Sequence, residues 1–425
     1  MNSILKLKCE DLTVEAQGVC RHEGMVVFVP GMLPGETAEV QVVKKTQRFW
    51  VGEQLRLCEP SPERVAPPCP YFGRCGGCSL QHLSYEGQLK YKQRWVCETL
   101  RRLGGITCPV RPIIGGEPWR YRSKAQLPVG GKPDTPEIGY YKTGTHDVVD
   151  ISECALQQTE CAPILAIIKE FIKEFRAPEL RHILLRSHAG KQSVTLVTNG
   201  PTLPKAAIIA ERLMALEQVQ GVALWCHNII TLAGEPSLNV TVAGNVFTVS
   251  PASFLQVNPT QAEKLYACAV EAAGANMPNA KAADLYCGIG TITLALANKC
   301  KHVTGVEALP QAVDDAQTAA KKNGISNVGF ICADAADYIK HSTEKFDIFV
   351  LNPPRIGCKG ALIKTIKTLA PPRIIYISCN PATLARDLAL LCNDETYSVH
   401  YVQPLDMFPQ TTHVETIMVL QRRDT

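Results

Sequence analysis

No stretch of this chain approaches the roughly 20 consecutive apolar residues that a membrane-spanning helix needs. The opening residues, MNSILKLKCEDL, lack the basic-then-apolar order of a secretory leader. Both absences argue against a membrane protein and for a cytoplasmic one. Charge of one sign is scarce as well. Lys and Arg total 44 against 40 for Asp and Glu, a net of +4, which is too little to mark a nucleic-acid binder and leaves that role to local patches. Neither a repeat nor a low-complexity tract is present, which excludes solenoids and disordered scaffolds. With 46% hydrophobic residues in 425, the chain is globular and long enough for roughly two to four domains.

Cysteine, by contrast, is plentiful, at 18 residues. In a reducing compartment that number points to metal ligands, a nucleophile and ordinary buried thiols rather than disulfides. Residues 1–60 read as a small β-barrel. Short β-rich runs are broken by Pro30-Gly31 and Pro34-Gly35, and Ala38, Val40 and Val42 alternate with Glu39, Gln41 and Val43. Lys44, Lys45 and Arg48 beside Phe49 and Trp50 suit RNA binding on such a barrel; the plainer reading is a solvated rim. A proline-rich stretch, 60–68, leads into CPYFGRCGGC (69–78) and then a basic segment, 88–105, of helical propensity carrying Lys90, Lys92, Arg94, Arg101 and Arg102. Such a helix either packs on the catalytic domain or grips an RNA backbone. Residues 61–253 form a mixed α/β central domain. From 254 to 425 strands and helices alternate, which means a parallel doubly wound sheet of Rossmann type.

DLYCGIGT (284–291) sits where a strand turns into a helix, and Gly288 and Gly290 allow a tight turn under a ligand. Glu307 ends the next strand, where it can take both hydroxyls of a ribose. Asp334 follows the third strand, where it can accept from an adenine amino group. Together they describe a nucleoside crevice. The acidic Asp284 and the missing third glycine favour S-adenosylmethionine over NAD. SCNP (378–381) follows another strand, and a helix beginning near Pro381 would turn its positive end toward Cys379 and favour thiolate. In HVE (413–415), Glu415 offers a general base that His413 could orient. Gln256 in FLQVN carries an amide suited to a pyrimidine edge, and the prolines of NPPR (352–355) stiffen a loop in the crevice.

SFLQVN, DLYCGIG, NPPR, SCNP and HVE, in this order, resemble the RNA uracil-5 methyltransferases. The resemblance covers nearly the whole chain and extends to a TRAM-like barrel at the N-terminus. It points most closely to the 23S ribosomal RNA branch, since the bacterial tRNA branch lacks the barrel and the cysteine site. It implies Cys379 as nucleophile toward uracil C6 and Glu415 as the base that removes the C5 proton. Contacts to S-adenosylmethionine are implied for Gln256, Tyr286, Thr291, Glu307, Asp334 and Asn352. The family usually has Asp where this chain has Asn352; an amide carbonyl can still accept from uracil N3–H, so activity is expected to survive. Cys69, Cys75 and Cys78 have the spacing C-x5-C-x2-C, with Gly76 and Gly77 allowing the close approach of a bulky centre. The resemblance supplies Cys154 as a fourth ligand. Four thiolates suit zinc or an iron–sulfur cluster alike; the family implies [4Fe–4S]. It also implies a monomer. Three rivals stand beside this reading: an amino-methyltransferase, whose N-P-P motif is usually followed by an aromatic where this chain has Arg355; a non-catalytic RNA-binding assembly factor; and a tRNA uracil-5 methyltransferase.

Overall fold

The computed structural model describes residues 3–274 and 277–423. Five strands open it, β1 (Ile4–Leu12), β2 (Gln17–His22), β3 (Met25–Pro30), β4 (Thr37–Lys45) and β5 (Trp50–Glu59). They close into a barrel in the order β1-β2-β3-β5-β4, with β4 returning to β1. Ala38, Val40 and Val42 point into its core while Val43 is exposed, which is the alternation read from the sequence. The pattern missed β1 and β2, whose buried positions Leu7, Cys9 and Cys20 lie among charged residues that carry little strand propensity.

The basic segment is helical from Tyr85 to Gly104 (α1). Ser84 caps it by accepting from the Gly87 N–H, and Gly105, in the left-handed region, ends it. Its cations do not form an open stripe. Lys90 pairs with Glu63, Arg94 with Asp11, and Arg101 and Arg102 share Glu98. Lys92 is wholly buried 2.6 Å from Asp406, and removing either partner of such a pair costs roughly 3–5 kcal/mol. The helix packs on the C-terminal domain, where Gln88 and Gln410 exchange hydrogen bonds. It braces the loop 406–410, and its cations are paired with acids, of which Asp11, Glu63 and Asp406 come from outside the helix.

The central domain holds β6 (Lys124–Lys132), β7 (Thr135–Tyr141), β8 (Val148–Asp150), α2 (Ala162–Phe175), β9 (Leu180–His188), β10 (Lys191–Thr198), α3 (Ala206–Met214), β11 (Val219–Trp225) and β12 (Ile229–Gly234). Its sheet runs β12-β11-β10-β9-β6-β7-β8, and the apolar faces of α2 and α3 cover one side of it. A hairpin, β13 (Leu238–Val242) and β14 (Asn245–Val249), follows. Val240, Val242 and Phe247 join the core of the C-terminal domain.

The C-terminal domain runs α4 (Pro259–Ala273), β15 (Met277–Leu285), α5 (Thr291–Ala297), β16 (Cys300–Glu307), α6 (Pro310–Lys322), β17 (Val328–Cys332), α7 (Ala335–His341), β18 (Ile348–Leu351), α8 (Gly360–Leu369), β19 (Arg373–Ser378), α9 (Pro381–Cys392), β20 (Tyr397–Leu405) and β21 (Glu415–Arg422). The sheet order is β17-β16-β15-β18-β19-β21-β20. The first five strands are parallel, as the alternation predicts. The last two depart from that expectation: β21 runs antiparallel to β19, and β20 antiparallel to β21, because no crossover helix separates them. Among the described residues no helix is long and apolar enough to cross a membrane.

Candidate active site

The sheet order sets the site out in a row. Strands lie about 4.8 Å apart, and the carboxyl ends of the parallel strands share one edge. Along it come Asp334 after β17, Glu307 at the end of β16, Tyr286 after β15, Asn352 after β18 and Cys379 after β19. Chain order reverses direction between β15 and β18, and ligands of such folds bind at that switch. The antiparallel turn of β21 brings its first residue, Glu415, to the same edge. In the β19–β21 ladder Ser378 pairs with Thr416, so the next position outward sets Cys379 opposite Glu415.

At the nucleoside end, Tyr286, Gly288 and Gly290 all have positive φ, at 72°, 55° and 83°, and the turn they make opens α5. A Cβ on Gly288 would meet nothing within 4 Å, so open space stands over the turn. Beneath it Asp284 is fully buried. Its Oδ2 accepts from Thr293 Oγ1 at 2.7 Å, its Oδ1 has no partner among the described residues, and burial pushes its carboxyl up to about 6. Glu307 ties the row together: its carboxylate accepts from the N–H groups of Gly288, Ala308 and Leu309 at 3.1, 2.8 and 3.0 Å. Asp334 caps α7 and pairs with Lys359 at 2.9 Å, and Lys359 holds its carboxyl below the usual range. Both acids are thus already engaged, which a reading of them as free ribose and adenine acceptors does not foresee. Thr291 opens α5, and the buried Tyr266 lies in the core beneath it. Gln256 is 8% exposed on the loop before α4.

At the reactive end, Cys379 lies between β19 and the Asn380 cap of α9. Burial and the nearby Glu415 carboxylate push its thiol up, while Arg355 draws it down. Glu415 is 3% exposed. Burial pushes its carboxyl up to about 8, and again Arg355 opposes the shift. Arg355 is the functional residue that motif reading passed over, although it stands inside NPPR. Its backbone carbonyl accepts from Asn380 Nδ2 at 3.3 Å and Thr383 Oγ1 at 3.1 Å, which ties the β18 loop to α9. His413, read as able to orient or tune Glu415, packs its ring against Phe408. The arrangement is a thiol and a carboxyl facing each other, with one guanidinium near enough to favour negative charge on either.

Cys69, Cys75, Cys78 and Cys154 line one cavity in the central domain, with Gln81 and Arg122 in its wall. Burial raises the thiols of Cys75, Cys78 and Cys154, that of Cys78 to about 12. Among the described residues no three His, Cys, Asp or Glu side chains converge closely enough to share one metal ion. Gly76 has a reason other than a metal: a Cβ there would stand 2.9 Å from the Tyr141 carbonyl of β7.

Residues 234–423 match the model of the tRNA (uracil-5-)-methyltransferase family. The chain is 41% identical to an uncharacterized RNA methyltransferase of Halalkalibacterium halodurans, over 100% of this chain and 98% of that one. It is 36% identical to an uncharacterized RNA methyltransferase of Clostridium tetani, over 99% and 96%. Its fold is similar to the crystal structure of Pyrococcus abyssi tRNA (uracil-54, C5)-methyltransferase in complex with S-adenosyl-L-homocysteine, with TM-score 0.78, 26% identity and coverage of 98% and 99%.

Proposed function

The chain belongs to the RNA uracil-5 methyltransferase family, and from that premise we propose that it methylates C5 of a uridine in 23S ribosomal RNA through a covalent Cys379 adduct. The observation that carries the proposal is Cys379 opposite Glu415 with Arg355 beside both. Uracil C5 is a poor nucleophile. Addition of the Cys379 thiolate to C6 makes an enolate and loads electron density onto C5. Bound S-adenosylmethionine supplies the methyl group as an electrophilic sulfonium. Glu415 then takes the C5 proton, the C5–C6 double bond re-forms and the thiolate leaves. Arg355 steadies whichever of the two groups is negative, and the α9 N-terminus adds to that field. Gln256 and Asn352 present amides to the uracil edge. Tyr286, Thr291, Glu307 and Asp334 frame the nucleoside of the methyl donor, and the orphaned Asp284 Oδ1 and the open space over Gly288 fit such an occupant.

We read the cysteine cavity as the place of a [4Fe–4S] cluster held by Cys69, Cys75, Cys78 and Cys154. The four thiols line one space, and thiolates of that number suit such a cluster or zinc; the family resemblance favours the cluster. Methyl transfer needs no electron, so the cluster braces the central domain. We place the enzyme in the cytoplasm as a monomer. The resemblance to the 23S branch favours ribosomal RNA; the similarity to a tRNA uracil-54 enzyme, which covers 98% of this chain and so takes in the barrel, favours tRNA as the second reading. Nucleoside mass spectrometry of unmodified 23S rRNA and tRNA, each incubated with the protein and S-adenosylmethionine, separates them. 5-Methyluridine in the 23S rRNA supports the proposal, in tRNA the second reading, and in neither a binding factor without catalysis.

A further inference from the structure

A cleft of about 410 Å³ opens where the central domain meets the N-terminus of α4. It lies outside the row of strand ends that forms the reactive site. Its volume falls in the range of small-ligand clefts, roughly 300–1,000 Å³. Trp119 makes one wall, half-buried, with its indole N–H free of protein partners among the described residues. Glu117 and Gln158 stand exposed at the rim, offering a carboxylate acceptor and an amide. Gln261 lines the opposite side at 1% exposure. Its Nε2 donates to the carbonyls of Ile114 and Asp406, and its Oε1 has no partner among the described residues. A buried amide oxygen without a donor is expensive to leave so. Arg120 sits in the left-handed region at φ 52°, a conformation that costs of order 1–3 kcal/mol for a residue other than glycine and gathers at functional sites.

The backbone around the cleft ties it to both other sites. Arg120 N–H donates to the Ala155 carbonyl at 3.0 Å, and Arg122 N–H to that of Leu156 at 2.7 Å. Arg120 and Gln158 face the cleft, while Arg122 and Cys154 face the cysteine cavity. The two therefore share one wall. On the other side, Tyr121 donates to the Pro409 carbonyl at 2.9 Å and Asn258 to that of Met407 at 3.2 Å, on the loop that leads to Glu415. Gln256 is two residues before Asn258.

We propose that this cleft is a second nucleotide subsite, which takes an unstacked base of the RNA substrate near the target uridine, with Trp119 stacking on it and Glu117 and Gln158 reading its edge. The inference rests on the RNA-methylating reading above. An enzyme that draws a uridine out of its stack leaves the neighbouring bases unstacked too, and an indole is the usual platform for one. The wall shared with Cys154 gives the cysteine site a purpose, since whatever ties Cys154 down also fixes Arg120 and Gln158.

The test is equilibrium binding of unmodified 23S rRNA and tRNA transcripts, with S-adenosylhomocysteine binding measured alongside. Trp119→Ala should raise the Kd of the RNA that the wild type binds about tenfold, the loss of one base stack. Trp119→Phe should restore most of that loss, Gln158→Ala should change which neighbouring base is preferred, and S-adenosylhomocysteine affinity should stay fixed throughout. RNA binding unchanged in Trp119→Ala overturns the subsite and leaves the methylation reading intact. Equal loss of S-adenosylhomocysteine binding makes Trp119 structural and overturns it as well. A wild type that binds neither RNA overturns the subsite and the proposed function together.

Discussion

Cys379 and the quartet of Cys69, Cys75, Cys78 and Cys154 are the same side chain in two settings. Burial pushes up the thiols of Cys379, Cys75, Cys78 and Cys154 alike. Cys379 differs in its company. It follows a parallel strand, precedes the N-terminus of a helix, and has Arg355 and Glu415 as its charged neighbours. The quartet sits on loops around one cavity, where the charged neighbours of Cys75 and Cys78 are the other thiols and Cys154 also has Arg122 beside it. One setting prepares a thiolate to attack and leave; the other stores four thiols for a shared ligand. The fold separates the roles by strand order, not by any property of cysteine.

The largest expected effect breaks that contrast directly. Cys379→Ala should abolish 5-methyluridine formation, by roughly four orders of magnitude or more, with iron content and melting temperature unchanged. Cys154→Ser should do the reverse, lowering iron content and melting temperature while Cys379 still forms an adduct with RNA. Iron and sulfide analysis, thermal melting and denaturing gels with labelled RNA read all of these. Equal loss of turnover in both variants, with folding intact, would mean the quartet is part of the chemistry.

Glu415 comes next. Replacing it with Gln keeps the shape and removes the base, so turnover should fall by roughly 10²–10⁴ and methylated RNA should accumulate bound to Cys379. Release at the normal rate would refute the assignment. The same residue gives a pH signature. Its carboxyl is raised to about 8 in the folded protein, from an ordinary value of 4.5. A raised acid favours the native state while protonated, so that stability is complete below about 4.5 and is lost as pH climbs through about 8. Glu415→Gln should therefore melt higher than wild type at pH 8, and the gap should close as pH falls toward 4.5. Turnover by wild type should run the other way, rising with pH up to about 8 as the base ionises.

Much of this was legible in the sequence because its motifs sit where strands end. A strand end fixes a residue's place once the sheet order is known, so DLYCGIGT, NPPR and SCNP needed only their order in the chain, whereas HVE opens a strand. What stayed hidden depends on partners far apart in sequence. Asp334 looked like a free acceptor because Lys359 lies on the next helix. Arg355 looked like the end of a motif because its two neighbours, Cys379 and Glu415, come from β19 and β21. The antiparallel return of β21 was not foreseen, although it is what delivers Glu415 to the edge.

The smallest expected effect tests the same lesson on charge. Lys44, Lys45 and Arg48 on the barrel and the cations of α1 look alike as sequence, basic residues among aromatics. Every one of the α1 set has an acid beside it. On the barrel, Lys45 lies 4.1 Å over the Trp50 ring and makes no ion pair among the described residues, so its charge faces solvent. A phosphate contact releases counterions and steepens the dependence of binding on salt. Lys45→Ala should thus weaken RNA binding severalfold and lower the salt slope by about one. Lys90→Ala should leave both as they are, because Glu63 already cancels that charge. RNA titrations at several salt concentrations decide it. Equal losses in the two variants would mean that α1 gives up its ion pairs to the RNA and that the barrel holds no special claim on the backbone.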